Sequence, residues 1–147
     1  MIAVDTNLLV YAHRTESPFH AEAKERVESL RSGRAMWAIP WPVVHEFLGV
    51  VTNPRIFRTP TPRSVAVATV DALTAGGTLQ LLAESEGYWA KLTSLIAAAR
   101  VEGARIHDAR VAALCLHHGV SELWTADRDF SLFPALKTRN PLVSVAK

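Results

Sequence analysis

Short apolar stretches alternate along this chain with longer segments in which apolar residues recur every three or four positions. The short stretches predict strands, and the longer periodic segments predict helices. Strands are predicted at residues 1–4, 35–39, 79–82 and 122–126, with residues 142–145 as a last edge strand. This alternation predicts an α/β protein in which a mainly parallel central sheet is flanked by helices, an α/β/α sandwich.

Capping residues, proline and glycine set the boundaries of the predicted helices. Ser17-Pro18 and Thr61-Pro62 each place a capping residue before a proline, which favours a helix start. Ser85 is predicted to cap a helix that ends at Gly103. The helices are predicted to start near residue 8 and to run over residues 17–33, 42–53, 61–77, 85–103 and 108–119.

Composition adds limits on size and location. The chain has 147 residues, of which 49% are hydrophobic, so it is long enough for one well-buried core and too short for two comfortable domains. No apolar run approaches the roughly 18 residues of a membrane span. The single cysteine, Cys115, lies between two leucines and is predicted to be a buried thiol. We therefore expect a soluble, cytoplasmic protein with no membrane contact.

Acidic residues follow two of the predicted strands. Asp5 ends the first strand, Asp127 ends the strand at 122–126, and Asp129 comes two residues later. In open parallel sheets, sites form beyond the carboxyl ends of the strands. Taken singly, Asp5 could cap the following helix, and residues 127–129 could form a solvated turn.

Two further acids are predicted to point from helices toward the same place. Glu46 shares a helix face with Val43 and Val50, so it is expected to project toward the sheet. Asp108 opens its predicted helix, where the positive helix end favours an anion, although a plain helix cap is the alternative. Converging carboxylates repel one another unless cations neutralise them. An all-oxygen set indicates Mg²⁺, with Mn²⁺ able to substitute.

Three segments carry a resemblance to a known family. "VDTNLLVYA", "VVHEFLGVVTNPRIF" and "IHDARVAALCLHHGVSELWTADRDF" resemble the three blocks of PIN-domain ribonucleases, and their order and spacing resemble VapC toxins. The resemblance implies a single PIN domain over residues 1–147. It implies Asp5, Glu46 and Asp108 as an acidic triad, with Asp127 as the fourth acid and Asp129 able to share or take over that role. Thr6, Asn7 and Thr125 match polar positions that flank the site in the family.

The acids and the resemblance together predict a metal-dependent endoribonuclease, the toxin of a toxin–antitoxin pair. The resemblance also implies a cognate VapB-type antitoxin and a homodimer. Phosphodiester hydrolysis needs an activated water and stabilisation of developing charge, and divalent metals can supply both. The alternatives are a housekeeping PIN nuclease for RNA maturation and a non-catalytic PIN domain that binds RNA or protein. A phosphorelay receiver or a dehalogenase-type phosphatase fits poorly, because Asp5 is followed by Thr6-Asn7.

Charge distribution suggests where RNA could bind. Setting the four acids aside raises the formal charge of the rest of the chain from +2 to +6. Arg55, Phe57 and Arg58 lie in the loop after the Glu46 helix and are RNA-binding candidates. Either Phe57 or Trp41 could stack on an unpaired base. The other tryptophans have apolar neighbours and are predicted to lie in the core; they are Trp37, Trp89 and Trp124.

Overall fold

Five parallel strands form the central sheet of the computed structural model, which describes residues 1–143. The strands are β1 (Ile2–Val4), β2 (Trp37–Pro40), β3 (Leu79–Leu82), β4 (Glu122–Trp124) and β5 (Thr138–Arg139). They lie in the order β3-β2-β1-β4-β5, and every neighbouring pair is parallel. In the register, Ile2 pairs with Trp37 on one side and with Glu122 on the other.

Within residues 1–143, six helices and one 3₁₀ helix connect the strands. The helices are α1 (Thr6–His13), α2 (His20–Ser32), α3 (Trp41–Val51), α4 (Arg63–Thr74), α5 (Tyr88–Ala99) and α6 (Arg105–His117), and the 3₁₀ helix spans Arg128–Leu132. Crossovers between parallel strands are right-handed. The steps from β1 to β3 therefore put α1–α4 on one face of the sheet, and the return to β4 puts α5 and α6 on the other. The predicted α/β fold is confirmed.

The strand order reverses between β1 and β4. The chain moves outward from β1 to β3 and then returns past β1 to β4 and β5. Connections on the two sides of this point leave toward opposite faces, so a crevice opens at the carboxyl ends of β1 and β4. Asp5 directly follows β1, and Asp127 lies three residues after the end of β4.

The core lies between the sheet and its helices. Its largest fully buried side chains include Trp37, Phe47, Phe130 and Phe133. Burial of Cys115 is also confirmed, and it raises the pKa of the thiol to about 12, so the group stays protonated.

Two of the three tryptophans predicted for the core are buried. Trp37 and Trp124 are only 1% and 6% exposed, whereas Trp89 is 71% exposed. Helix α5 buries Tyr88 and Leu92, which lie one turn apart on the same face. Trp89 is rotated off that face, so the prediction from its apolar neighbours was wrong.

Several predicted element boundaries differ from the observed ones. The last strand is Thr138–Arg139; of the predicted strand at 142–145, residues 142 and 143 lie in a turn and a bend, and residues 144 and 145 fall outside the described part. Helix α6 begins at Arg105, three residues before the predicted start at Asp108. Helix α5 begins only at Tyr88, because Gly87 before it is in the left-handed conformation (φ 88°), and the Ser85 hydroxyl lies 2.6 Å from His117 Nε2 instead of capping the helix.

None of the helices within residues 1–143 combines the length and the apolar character needed to cross a bilayer.

Candidate active site

Asp5 lies at the junction of β1 and α1, where its backbone extends the strand pairing and its side chain caps the helix. Its backbone N–H donates to the carbonyl of Trp124 at 3.0 Å, which continues the β1–β4 pairing by one residue. Its side-chain Oδ1 accepts from the N–H of Thr6 at 2.8 Å, so Asp5 is the N-cap of α1. The cap therefore fixes the carboxylate at the mouth of the crevice, with Oδ1 committed to the helix end.

Two polar side chains, those of Thr125 and Asn7, hold the Asp5 carboxylate and the end of β4 together. Asp5 Oδ2 accepts from the hydroxyl of Thr125 at 2.7 Å and from Asn7 Nδ2 at 3.3 Å. Asn7 Oδ1 in turn accepts from the backbone N–H of Ala126 at 3.0 Å, and Thr125 Oγ1 accepts from the N–H of Asp127 at 3.0 Å. Thr125 and Asn7 thus lock the Asp5 carboxylate and the segment leading to Asp127 into one geometry.

Burial is the main influence on the Asp5 carboxyl. The residue is 6% exposed, and loss of hydration raises the pKa of the carboxyl from 3.8 to about 6. Hydrogen bonds from Thr125 and Thr6 oppose this rise, while the charges of Glu46 and Asp127 add to it. A carboxyl with a raised pKa in a crevice lined by acids is typical of functional sites.

Glu46 reaches the crevice from α3 and lies at its rim. Its Oε2 accepts from the hydroxyl of Thr6 at 3.1 Å. The residue is exposed, whereas Val43 on the same helix is fully buried. Glu46 therefore faces the Asp5 side of the molecule, as predicted, but it does not pack inward with the apolar stripe. The charged carboxylate stays in contact with water, because burying it would cost more than its position on the apolar helix face could gain.

Asp108 approaches from the first turn of α6 and forms a close group with the acids after β4. One carboxylate oxygen from each of Asp108, Asp127 and Asp129 lies within 4.8 Å of the other two. Partial burial raises the pKa of the Asp108 carboxyl, and the charges of Asp127 and Asp129 raise it further. The N-cap of α6 is Ala104 rather than Asp108, so the plain helix-cap alternative does not describe Asp108.

Asp127 and Asp129 have different surroundings. Asp127 caps the 3₁₀ helix, where its Oδ1 accepts from the N–H of Asp129 at 2.8 Å, and it is partly buried. The Asp129 side chain is 54% exposed, and its Oδ1 lies 3.8 Å from Nη1 of Arg105. Of the two, Asp127 alone lines the cavity shared with Asp5.

That cavity joins acids from four separate parts of the chain. It has a volume of about 230 Å³, and its acidic lining consists of Asp5, Glu46, Asp108 and Asp127. Among the described residues no cysteine or histidine lines it, so the charged donors found there are all carboxylate oxygens. Such a donor set suits a hard divalent cation, which would also relieve the mutual repulsion of the acids.

The basic loop predicted to bind RNA lies at the opposite end of α1. Arg14, just beyond the C-terminus of α1, donates to the carbonyl of Thr59 at 2.8 Å, and its guanidinium lies 4.2 Å from the centre of the Phe57 ring. Asp5 and Arg14 are nine residues apart, or about 13 Å along a helix axis. Arg55 and Arg58 are exposed, while Phe57 is half-buried under Arg14.

Sequence reasoning missed two histidines beside the acids. His45 and His107 are both exposed and line a cleft next to the acidic cavity, together with Arg110. Each histidine directly precedes a site acid, in the dipeptides His45-Glu46 and His107-Asp108. This repeated pairing was the available signal.

Comparisons with known proteins find a matching family and several relatives of this chain. The family model described as "PIN domain" matches residues 2–136. Ribonuclease VapC48 of Mycobacterium tuberculosis is 33% identical over 137 residues, which cover 93% of this chain and 94% of that protein. Ribonuclease VapC43 of the same organism is 37% identical over 142 residues, covering 97% and 96%. The solved structure of VapBC2 from Rickettsia felis, bound to a DNA fragment from their promoter, superimposes with a TM-score of 0.69 at 18% identity, covering 95% of this chain and 98% of that one.

Proposed function

We propose a function for this chain that starts from its family: it belongs to the PIN-domain family and within it to the VapC ribonucleases. The proposed function is that of a metal-dependent endoribonuclease and the toxin of a toxin–antitoxin pair. The observation that carries the proposal is the meeting of Asp5, Glu46, Asp108 and Asp127 in one cavity at the reversal of strand order. These residues come from four separate parts of the chain, and helix capping alone does not account for their convergence.

The acids would hold Mg²⁺, with Mn²⁺ able to substitute. Asp5, Glu46, Asp108 and Asp127 are the proposed ligands, and Asp129 is close enough to Asp108 and Asp127 to contribute an oxygen. When bound, the cation would supply charge neutralisation and polarisation of the phosphodiester and of the attacking water. The close approach of the Asp108, Asp127 and Asp129 oxygens, with raised pKa values at Asp5 and Asp108, fits a site that is incomplete without a positive charge.

The chain's own polar residues orient the acids. Thr6 spans two of them, since its N–H donates to Asp5 and its hydroxyl donates to Glu46. Thr125 and Asn7 fix the second oxygen of Asp5. A carboxylate offers about four acceptor positions, and three at Asp5 are used by these donors, which leaves room for one more contact. We propose positioning roles for Thr6, Asn7 and Thr125 on this basis.

The expected partners are RNA, a cognate VapB-type antitoxin and a second copy of the chain. The VapC ribonuclease relatives support RNA as the substrate class. The toxin role requires an inhibitor made alongside it, and a small neighbouring gene for an antitoxin would distinguish a toxin from a housekeeping nuclease. A ribonuclease that acts on cellular RNA would work in the cytoplasm.

The metal and the acids can be tested together. We expect EDTA to stop cleavage of single-stranded RNA and Mg²⁺ or Mn²⁺ to restore it. Asp5→Asn, Glu46→Gln and Asp108→Asn should each lower the cleavage rate at least a hundredfold, an order-of-magnitude expectation for removal of a charge that stabilises the transition state. Asp127→Asn should lower the cleavage rate more than Asp129→Asn does, because Asp127 lines the cavity with Asp5 and Asp129 does not.

The matched control is Asp71→Asn, which neutralises an exposed aspartate on α4, outside the site. It should cleave at the wild-type rate. Full activity in exhaustively chelated protein would refute the metal mechanism, and a wild-type rate in a folded site variant would remove that residue from the set.

A further inference from the structure

A second cleft opens directly beside the acidic cavity, between α3 and the start of α6. It has a volume of about 460 Å³ and shares Glu46 and Asp108 with the acidic cavity. Its other polar side chains are His45, His107 and Arg110. A neighbouring cavity of about 340 Å³ shares His45 and Arg110 with this cleft and reaches Trp41. Shared lining residues therefore define a path from the acids to Trp41.

Polar groups along this path are free to bind a ligand. Arg110 Nε is buried without a hydrogen-bond partner, and no salt bridge within residues 1–143 involves the Arg110 guanidinium. A buried unpaired donor is costly, so the site favours a ligand that brings an acceptor. His45 and His107 each carry at least one N–H donor in either protonation state. The acids on the path are Glu46 and Asp108 at its inner end and Glu84 at its outer end.

Trp41 ends the path as an aromatic platform. It is the first residue of α3 and is 39% exposed, although most tryptophan surface is normally buried. Its ring is stacked with that of His45, with centroids 6.0 Å apart and planes 29° from parallel. Trp41 precedes Glu46 by five residues, or about 7.5 Å along the helix axis. A strand of a few nucleotides is therefore long enough to reach both residues.

We propose that this cleft, lined by Trp41, His45, His107 and Arg110, holds single-stranded RNA beside the scissile phosphate. Trp41 stacks on an unpaired base, and Arg110 and the two histidines donate to phosphate and sugar oxygens between that base and the acids. Base stacking on an aromatic face needs an unstacked base, so a single strand fits and a continuous duplex does not. The inference rests on the proposed nuclease function and adds the residues that hold the strand beside the acids.

Binding to chelated protein tests the cleft separately from catalysis. The affinity of the full chain for a fluorescent single-stranded RNA of random sequence is measured in EDTA, for wild type and variants. Trp41→Ala should weaken binding by roughly five- to a hundredfold, the range found when one stacked base is lost. Trp41→Phe keeps a ring and should recover most of the affinity. The matched control, Trp89→Ala, removes a more exposed tryptophan from α5 and should bind as wild type does.

Arg110 gives a second, independent readout. Arg110→Gln should lower the slope of log affinity against log salt by about 0.7, the value for one phosphate contact on a single strand. The control Arg26→Gln removes an exposed charge from α2 and should leave the slope unchanged. Thermal melts of Arg110→Gln show whether the substitution at this half-buried position unfolds the protein. If it does, substitutions at the exposed Trp41 and His45 still test the proposal.

Two outcomes would overturn the proposal, and a third would refute the function on which it rests. Wild-type RNA affinity in folded Trp41→Ala would show that the platform is not used. Unchanged RNA affinity with lost self-association or lost antitoxin binding would assign the cleft to a protein interface. A wild-type chain that neither binds nor cleaves RNA with Mg²⁺ would instead refute the proposed function itself, so the two failures are distinguishable.

Discussion

At the scale of single residues, Asp5 shows how structure and function compete for one carboxylate. The same side chain caps α1, bonds Thr125 and faces three other acids across the cavity. Its burial is unfavourable for a charged group, and the hydrogen bonds offset only part of that cost, since the pKa stays raised at about 6. The fold therefore holds these carboxylates close together although their charges repel one another.

This cost should be visible as a pH dependence of stability. The native protein without metal keeps a proton on Asp5 between about pH 4 and 6 that the unfolded chain releases, because the pKa rises from 3.8 to about 6 on folding. The free energy of unfolding should therefore fall as the pH rises through this window, by up to about 3 kcal/mol. Asp5→Asn should flatten the profile and make the chelated protein more stable at pH 7.

Urea denaturation in EDTA at a series of pH values measures this effect. Asp71→Asn serves as the control, because it removes an exposed carboxylate on α4 and should keep the wild-type profile. Parallel profiles for wild type and Asp5→Asn would contradict the raised pKa of Asp5.

At the scale of elements, the site depends on how strand ends are joined to helix starts. Thr125, just past the end of β4, donates to Asp5 Oδ2 and accepts from the N–H of Asp127. One hydroxyl thus couples the β1–α1 junction to the segment that carries the fourth acid. The 3₁₀ helix after β4 is capped by Asp127 itself, so this acid, like Asp5, positions itself through a helix end.

Removing that hydroxyl should loosen both junctions. Thr125→Val keeps the shape of the side chain but leaves the N–H of Asp127 without its partner and Asp5 Oδ2 without a strong donor. We expect a loss of about 1–3 kcal/mol in the free energy of unfolding, since the residue is buried. Mg²⁺ affinity, measured by calorimetry, should fall as well because Asp5 is no longer held in place.

Thr125→Ser is the matched comparison, because it retains the hydroxyl and loses only a methyl group. It should keep most of the Mg²⁺ affinity. If Thr125→Val and Thr125→Ser bind Mg²⁺ equally well, the hydroxyl does not position the site.

At the scale of the whole molecule, charge is separated along α1. The acids lie at its N-terminal end, and Arg14 with the loop of Arg55 and Arg58 lies about 13 Å away at the other. Phosphates of a bound strand would be repelled near the acids and attracted at the far end. The loop can therefore contribute to RNA affinity only as a distant contact, or it can serve an antitoxin or a second subunit.

One double variant separates these roles. We propose Arg55→Ala combined with Arg58→Ala as a change that weakens RNA binding and lowers its salt slope by about 0.7 for each lost phosphate contact on a single strand. Arg26→Ala combined with Arg34→Ala removes two exposed charges elsewhere and should leave the slope intact. Antitoxin affinity is measured on the same proteins. An unchanged RNA slope with lost antitoxin binding would transfer the loop from substrate recognition to regulation.

The sequence alone determined the α/β fold and pointed to the acids. Strand and helix periodicities are local, so they survive without tertiary information, and Asp5 and Asp127 are marked by their places after predicted strands. Leu79–Leu82 was predicted with the observed bounds. The starts of α5 and α6 were misplaced: Ser85 bonds His117, which is 32 residues away in the chain, and α6 begins after Ala104 with no side-chain cap.

Only the tertiary structure decided which groups meet. It placed Phe57 under Arg14, left Trp89 exposed, put Glu46 at the rim, and joined His45, His107 and Arg110 beside the acids. These outcomes depend on strand order and on the rotation of each helix about its axis, which local patterns do not fix. The reversal of strand order between β1 and β4 is the physical reason that acids 122 residues apart in sequence, Asp5 and Asp127, line one cavity.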